Sequence, residues 1–399
     1  MTATERQRLD VQPEEEHDRY HRQTLISWWD QERLRDASVL VVGAGALGNE
    51  LVKNLVLTGV GRIVVADLDR IENSNLSRCV FFRAGDEGRY KAEVVAERAC
   101  DLNPDVVVEP IVGDVRLSIG LGTFADVDLV LGGLDNREAR LFVNQACWKT
   151  STPFVDGAME GLMGVVRVFD PPESACYECT MNERDHELIA ARRTCALLTR
   201  DDLAEGKVPT TATTSGVVAG IQVQEAIKLL HRERLGPPAL AGAGFHFVGL
   251  THDSYVVRYP RREECLSHDT YDVEDAEVFS PTAPFRELVA WAERQLGEGT
   301  AIELEHEIVV AGECTRCGVR EEILRPVPAL DAGRGLCFEC LEPWRLEFAH
   351  AIDRESPLLG LTAVDLDLPP EDVVVARAGA DRVFVRLAPV AVDTAGAPA

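Results

Sequence analysis

Uninterrupted apolar runs alternate with helical apolar spacing over the first half of the chain. Val39–Val42 is a run of the kind that a strand buried on both faces needs, and Leu51, Val52, Leu55 and Val56 then recur at helical spacing. Ile63–Ala66 gives a second buried strand, and a helix is expected from Gly88 to about Cys100. Val106–Pro110, Val127–Leu131, Pro153–Gly157 and, after a glycine-rich turn at Gly161–Gly164, Val165–Phe169 read as further strands. Strands alternating with helices predict a mostly parallel, doubly wound α/β sheet. Phe245–Val248 and Tyr255–Tyr259 look antiparallel, and Thr210–Leu230 opens on threonines and becomes an apolar helix. Phe285–Leu296 reads as an amphipathic helix and Val373–Leu387 as two short strands around a turn. Residues 1–17, polar and rich in Glu, read as disordered, and Pro237–Gly244 as a simple loop.

The first strand-to-helix connection carries chemistry. Gly43-Ala44-Gly45-Ala46-Leu47-Gly48 is G-x-G-x-x-G. Such glycines let the backbone turn tightly and approach a nucleotide, and the following helix offers free N–H groups and the positive end of its dipole. Asp67 ends the second strand, where a carboxylate can accept from ribose hydroxyls. These features make the sheet Rossmann-like and, alone, suggest a nicotinamide-dependent dehydrogenase. The stretch Asp67–Arg78 (DLDRIENSNLSR) overturns that default. A hydroxyl, an amide and a guanidinium follow the ribose-binding carboxylate directly; a dinucleotide has little use for them, whereas a triphosphate being cleaved does. The bland alternative is a solvated polar loop.

That stretch resembles the D-x-D-x-[IV]-x-x-S-N-L-x-R signature of the ubiquitin-activating superfamily, which includes the sulfur-carrier adenylating enzymes ThiF and MoeB. Cys79 stands where the family usually has Gln. Arg19-Tyr20-His21-Arg22-Gln23 resembles the family's R-Y-x-R-Q, which implies that Arg22 reaches the terminal phosphates in a neighbouring subunit; an ordinary surface arginine fits as well. Gly88–Ala92 resembles G-x-x-K-A and implies phosphate contact for Lys91, although a helical lysine is ordinarily a solvated charge. Gly133–Arg140 resembles G-x-D-[NS]-x-x-x-R, implying Mg²⁺ on Asp135; the same residue could serve as a helix N-cap. Asp156–Gly161 is similar to the segment lining the substrate tail's path. The resemblance thus implies Gly43, Gly45, Ala46 and Asp67 around adenosine and Asn75, Arg78, Lys91 and Arg22 on phosphates. Gly48, Asp69, Ser74 and Asn136 complete the nucleotide-binding set.

At 399 residues the chain exceeds one ordinary core. The expected division is an N-terminal arm at 1–36, an adenylation domain at 37–270 with a crossover loop at about 180–212, and a C-terminal module at 271–399. A net charge of −26 argues against a nucleic-acid partner and fits a partner with a basic face, or an acidic proteome in general. With neither a signal peptide nor an apolar run long enough to span a membrane, a cytoplasmic protein is expected.

Eleven cysteines in such a chain suggest metal ligands and reactive thiols before disulfides. Cys176-Tyr-Glu-Cys179 is a C-x-x-C that reads either as a metal knuckle or as a redox pair. Cys265-Leu-Ser-His268 stands where the family places its second zinc knuckle, which implies a Cys₃His site with His268 replacing a cysteine. Cys314, Cys317, Cys337 and Cys340 have zinc-ribbon spacing, placing a ribbon at about 308–345 and predicting two Zn²⁺ per chain. Cys100 and Cys147 read as core thiols. Cys195, in RRTCA, is flanked by arginines that would favour its thiolate, and its position resembles the crossover loop that carries the family's acyl-accepting cysteine.

The expected function is ATP- and Mg²⁺-dependent adenylation of the C-terminal glycine of a ubiquitin-like protein, then thioester formation on Cys195 and transfer to a conjugating enzyme, by a homodimer. Activation of a sulfur-carrier protein is one alternative. A non-catalytic Rossmann scaffold is the other, opposed by the intact phosphate-binding cluster.

Overall fold

The computed structural model describes residues 18–187, 209–237, 240–330 and 336–389. β1 (Ser38–Val42), β2 (Arg62–Asp67), β3 (Val107–Val112), β4 (Leu129–Gly132) and β5 (Phe154–Glu160) run parallel in the order β3-β2-β1-β4-β5. Winding reverses between β1 and β4, which opens a crevice at their carboxyl ends. β6 (Met163–Phe169), β7 (Ala243–Val248) and β8 (Asp253–Arg258) extend the sheet antiparallel to eight strands. The doubly wound sheet is therefore as expected, with two local differences. Gly164 belongs to β6, paired with Met159, so the turn is confined to Gly161, at φ +59°, and its neighbour Leu162. The helix expected from Gly88 begins at Lys91, because Gly88 adopts φ +84° and Tyr90 is the extended N-cap.

Both faces of this sheet are covered. Helices Ala46–Thr58, Lys91–Leu102 and Ala212–Leu230 bury one apolar cluster, and the 115–125 segment and helix Arg137–Lys149 bury the other. Among the described residues no helix is long and apolar enough to cross a membrane.

A second sheet follows. β9 (Glu277–Phe279), β10 (Ala301–Cys314), β11 (Arg320–Pro326), β12 (Trp344–Ile352), β13 (Asp372–Ala378) and β14 (Asp381–Leu387) form the order β11-β10-β13-β14-β9, with β12 on the other side of β10. Helix Phe285–Leu296 closes its core. The two sheets meet along a main-chain seam. Gly120 and Gly122 donate to the carbonyls of Pro370 and Glu371 at 3.2 and 2.7 Å, and Leu121 N–H donates to the buried Asp372 carboxylate at 3.3 Å. A Cβ on either glycine would lie 2.4 or 2.5 Å from those carbonyl oxygens, so only glycine permits the approach. His306 stacks on Phe142 with ring centroids 5.8 Å apart, and Lys149 pairs with Glu305.

Candidate nucleotide pocket and metal centres

The loops after β1, β2 and β4 converge at the crevice. Gly43 turns at φ +99°, and a Cβ there would sit 2.6 Å from the Gly133 carbonyl oxygen, so the loops after β1 and β4 touch main chain to main chain. Gly48 packs equally tightly on Gly43, whereas a Cβ on Gly45 would meet nothing within 4 Å. The open side of the loop is thus at Gly45, the N-cap of helix Ala46–Thr58, where free N–H groups can face an anion. Asn49 fixes the loop, donating to the Ala44 and Gly45 carbonyls at 2.8 and 3.1 Å and accepting from Phe81 N–H at 2.9 Å. It thereby ties the glycine loop to the polar loop after β2.

Asp67, at the end of β2, accepts from Ala44 N–H at 2.6 Å and Asp69 N–H at 2.7 Å. Burial raises its pKa against the pull of the Lys91 ammonium and these two amides. Lys91 is buried and lies 2.7 Å from Asp69. Burial works against its charge, but Asp67 and Asp69 outweigh it and hold the pKa above the ordinary lysine value. In the polar loop Asn75 accepts from Glu72 N–H at 2.9 Å, Ser74 donates to the Glu72 carboxylate at 3.1 Å, and Arg78 donates to the Ser74 carbonyl at 2.6 Å. Asp135 is exposed just beyond β4. The cap of helix Arg137–Lys149 is Asn136, which accepts from Ala139 N–H at 2.7 Å, so the Asp135 carboxylate is not consumed as a cap.

Arg22 stands apart from this cluster. It is exposed on the single turn His21–Thr24, beside Tyr20, whose ring lies against Gly59 at the C-terminal end of helix Ala46–Thr58. The glycine loop is at the other end of that helix, about 20 Å away for 13 residues.

Sequence reasoning gave no holding role to the side chains around the β4 loop, although Arg140 closes the G-x-D-[NS]-x-x-x-R motif and Asp156 opens the segment to Gly161. Gln222 donates to the carbonyls of Gly132 and Val155 at 3.0 and 3.1 Å. Arg140 bonds Asp156 at 3.0 Å, Gly157 O at 3.2 Å and Leu134 O, and Arg167 pairs with Asp156 at 3.1 Å. The available signal was a carboxylate, Asp156, inside the apolar strand FVDG, since a buried charge demands partners.

The cysteine clusters are both assembled. Cys176 Sγ lies 3.7 Å from Cys179 and 3.5 Å from Cys265, and Cys179 Sγ lies 3.4 Å from His268 Nε2. In the ribbon, Cys314–Cys340, Cys317–Cys337 and Cys317–Cys340 are 3.4, 3.6 and 3.8 Å apart. A tetrahedral zinc with Zn–S of about 2.3 Å sets its sulfurs about 3.8 Å apart, so both donor sets fit that ion. The His268 ring is stacked on Trp148 at 4.4 Å, which sets its plane. Three cysteines and a histidine together favour a metal knuckle over a redox pair at the first cluster. Cys79 is buried, and that burial pushes its thiol up to about 11, a poor nucleophile near neutrality. Cys195 lies outside the described residues.

A sequence model of the ThiF family matches residues 18–267. Ubiquitin-like modifier-activating enzyme 5 of Arabidopsis thaliana is 31% identical over 217 residues, 50% of this chain and 48% of that protein, so the match spans about half its length. Sulfur carrier protein adenylyltransferase of Thermus thermophilus is 41% identical over 173 residues, 41% of this chain and 64% of the relative. Sulfur carrier protein ThiS adenylyltransferase of Escherichia coli is 33% identical over 216 residues, 53% of this chain and 80% of the relative. The solved structure of E. coli MccB with succinimide shares the fold at a TM-score of 0.53, over 64% of this chain and 75% of that one, at 23% identity. With all eight strands of the Rossmann sheet inside the matched span and the motifs after β1, β2 and β4 folded around one crevice, this chain belongs to the ThiF family.

Proposed function

We propose that the chain adenylates the C-terminal carboxylate of a small ubiquitin-like protein, using ATP and Mg²⁺. The observation that carries this reading is the convergence on one crevice of an open glycine turn, a buried lysine and an uncapped carboxylate. The substrate carboxylate attacks the α-phosphate, the bond to the β-phosphate side breaks, and pyrophosphate leaves. The protein positions the reactants and neutralises charge without supplying a base. The amides after Gly45 and the Lys91 ammonium, exchanging Asp69 for phosphate, hold the nucleotide, with Asn75 and Arg78 beside them. Asp135 would hold Mg²⁺ together with phosphate oxygens and water, the usual donor set of that ion, which neutralises phosphate charge when bound. Because Arg22 is remote from its own glycine loop, it acts across a homodimer on the partner's nucleotide. Cys195 then attacks the acyl carbon, AMP leaves, and the thioester is passed to a conjugating enzyme.

Relatives that act on ubiquitin-like modifiers and on sulfur carriers match at similar identity, so the acceptor step is what an experiment must decide. Pyrophosphate exchange should depend on a small protein ending in Gly-Gly and survive Cys195→Ala. Wild type should add a DTT-sensitive adduct that Cys195→Ala lacks. Exchange without any adduct in wild type would move the chain to sulfur-carrier activation, and no exchange with any such protein would defeat adenylation itself.

A further inference from the structure

The residues that touch no ligand but hold the β4 loop form a built unit. Asp156 is fully buried between two arginines, Arg140 at 3.0 Å and Arg167 at 3.1 Å. Burying a carboxylate costs heavily unless it is paired, so this one has a task beyond filling the core. By accepting from Nε it holds the Arg140 guanidinium so that Nη2 donates to the carbonyls of both Leu134 and Gly157. Leu134 immediately precedes Asp135. Two residues further back Gln222 holds the carbonyl of Gly132, with its amide reaching across from helix Ala212–Leu230. Glycine at 157 makes room for this, since a Cβ there would lie 2.2 Å from the Gln222 amide oxygen. Two buried side chains from two different helices therefore fix the carbonyls of Gly132 and Leu134, in the three residues leading into a carboxylate that is itself exposed.

We infer that Arg140, oriented by Asp156, and Gln222 are positioning residues that set the Asp135 carboxylate for Mg²⁺. This inference rests on the proposed adenylation reading. Lysine at 140 would keep the charge beside Asp156 but cannot span Asp156 and two carbonyls at once. Groups that orient a metal ligand typically change metal affinity 10–100-fold when lost.

The test is calorimetric binding of ATP to the full chain, once with Mg²⁺ and once with EDTA, for wild type, Asp135→Ala, Arg140→Lys and Gln222→Met. The ratio of the two dissociation constants isolates the metal's contribution, and partial unfolding scales both constants alike and cancels from it. Wild type should bind more tightly with Mg²⁺, Asp135→Ala should lose that advantage, and Arg140→Lys should lose about tenfold of it or more. Gln222→Met should lose part of it, and decides the matter if Arg140→Lys does not fold. An unchanged ratio in the folded clamp variants, with Asp135→Ala lowering it, overturns the inference and leaves adenylation standing. A wild type that binds no ATP overturns both.

Discussion

The two cysteine clusters each gather four donors at the spacing of one tetrahedral ion and differ in what they tie together. In the first, the pair Cys176 and Cys179 meets a pair 89 residues away, and Cys176 and Cys179 are buried beneath Trp148. In the second, two knuckles close over the tip of a three-stranded antiparallel arm, 20 residues apart at Cys317–Cys337, with Cys317 exposed. Loop-closure entropy grows slowly with the length of chain that is closed, so the first cluster restricts the unfolded chain more than the second by about 1 kcal/mol. One is a cross-link between distant parts of the Rossmann sheet, and the other caps a local turn.

The comparison breaks most visibly by deleting a ligand from the buried cluster. Cys176→Ser should remove one of two zinc ions and lower the main melting transition by about 10 °C or more, at roughly 2–4 °C per kcal/mol for a domain of this size. His268→Cys should keep both ions, and metal analysis that finds fewer than two in wild type would contradict the whole picture. Cys317→Ser should release the other ion while the main transition falls by less than about 3 °C and ATP binding persists. A shift as large as that of Cys176→Ser would mean that the arm and the Rossmann sheet unfold as one unit.

The seam between the sheets offers a finer probe. Burial, and then the nearby Glu305 charge, raise the Asp372 carboxyl to about 7 from an ordinary 3.8. The folded state therefore keeps its proton longer than the unfolded state does. The associated stability is present below pH 4 and is lost as pH rises through about 7. Asp372→Asn keeps an acceptor for Leu121 N–H and removes this dependence. Its melting point should match wild type near pH 4 and exceed it by a few degrees at pH 8. Parallel melting curves of the two across that window would show that Asp372 does not titrate at the seam.

The smallest effect expected is at the ribbon's second knuckle. Leu341 sits at φ +59°, where Gly318 follows the first knuckle at φ +72°. Leu341→Gly should stabilise the arm by about 1 kcal/mol by relieving the left-handed backbone, read as slower amide exchange at residues 336–346 with zinc content unchanged. Faster exchange there would show that the exposed leucine side chain is needed for packing.

What was legible in the sequence had a strong local signature. Val39–Val42 and Ile63–Ala66 are uninterrupted apolar runs, and the ribbon's two knuckles are fixed by spacing, whereas the pairing of Cys176 and Cys179 with Cys265 and His268 came from the family resemblance. The long strand β10 carried a signal that went unread, since Ile302, Leu304, His306 and Ile308 alternate with glutamates at the period of two that a half-buried strand shows. Gln222 was invisible for a different reason. A polar residue inside an apolar helix announces a partner but not its identity, and the Gly132 and Val155 carbonyls lie far from it in sequence. Asp135 was placed correctly beyond β4, but only coordinates show that Asn136 takes the capping role.

The glycine seam has a consequence for how the chain can be cut. The motif-bearing part ends near residue 270, and an expression boundary there would retain every nucleotide-side residue. It would also strip the acceptors from the amides of Gly120, Leu121 and Gly122 and expose the Phe142 ring that His306 covers. A chain truncated there is therefore expected to be aggregation-prone although the residues around its crevice are all retained. The same logic sets the order of events during synthesis. The Rossmann sheet emerges from the ribosome first, and its 120–122 edge stays unsatisfied until the strand beginning at Asp372 arrives some 250 residues later.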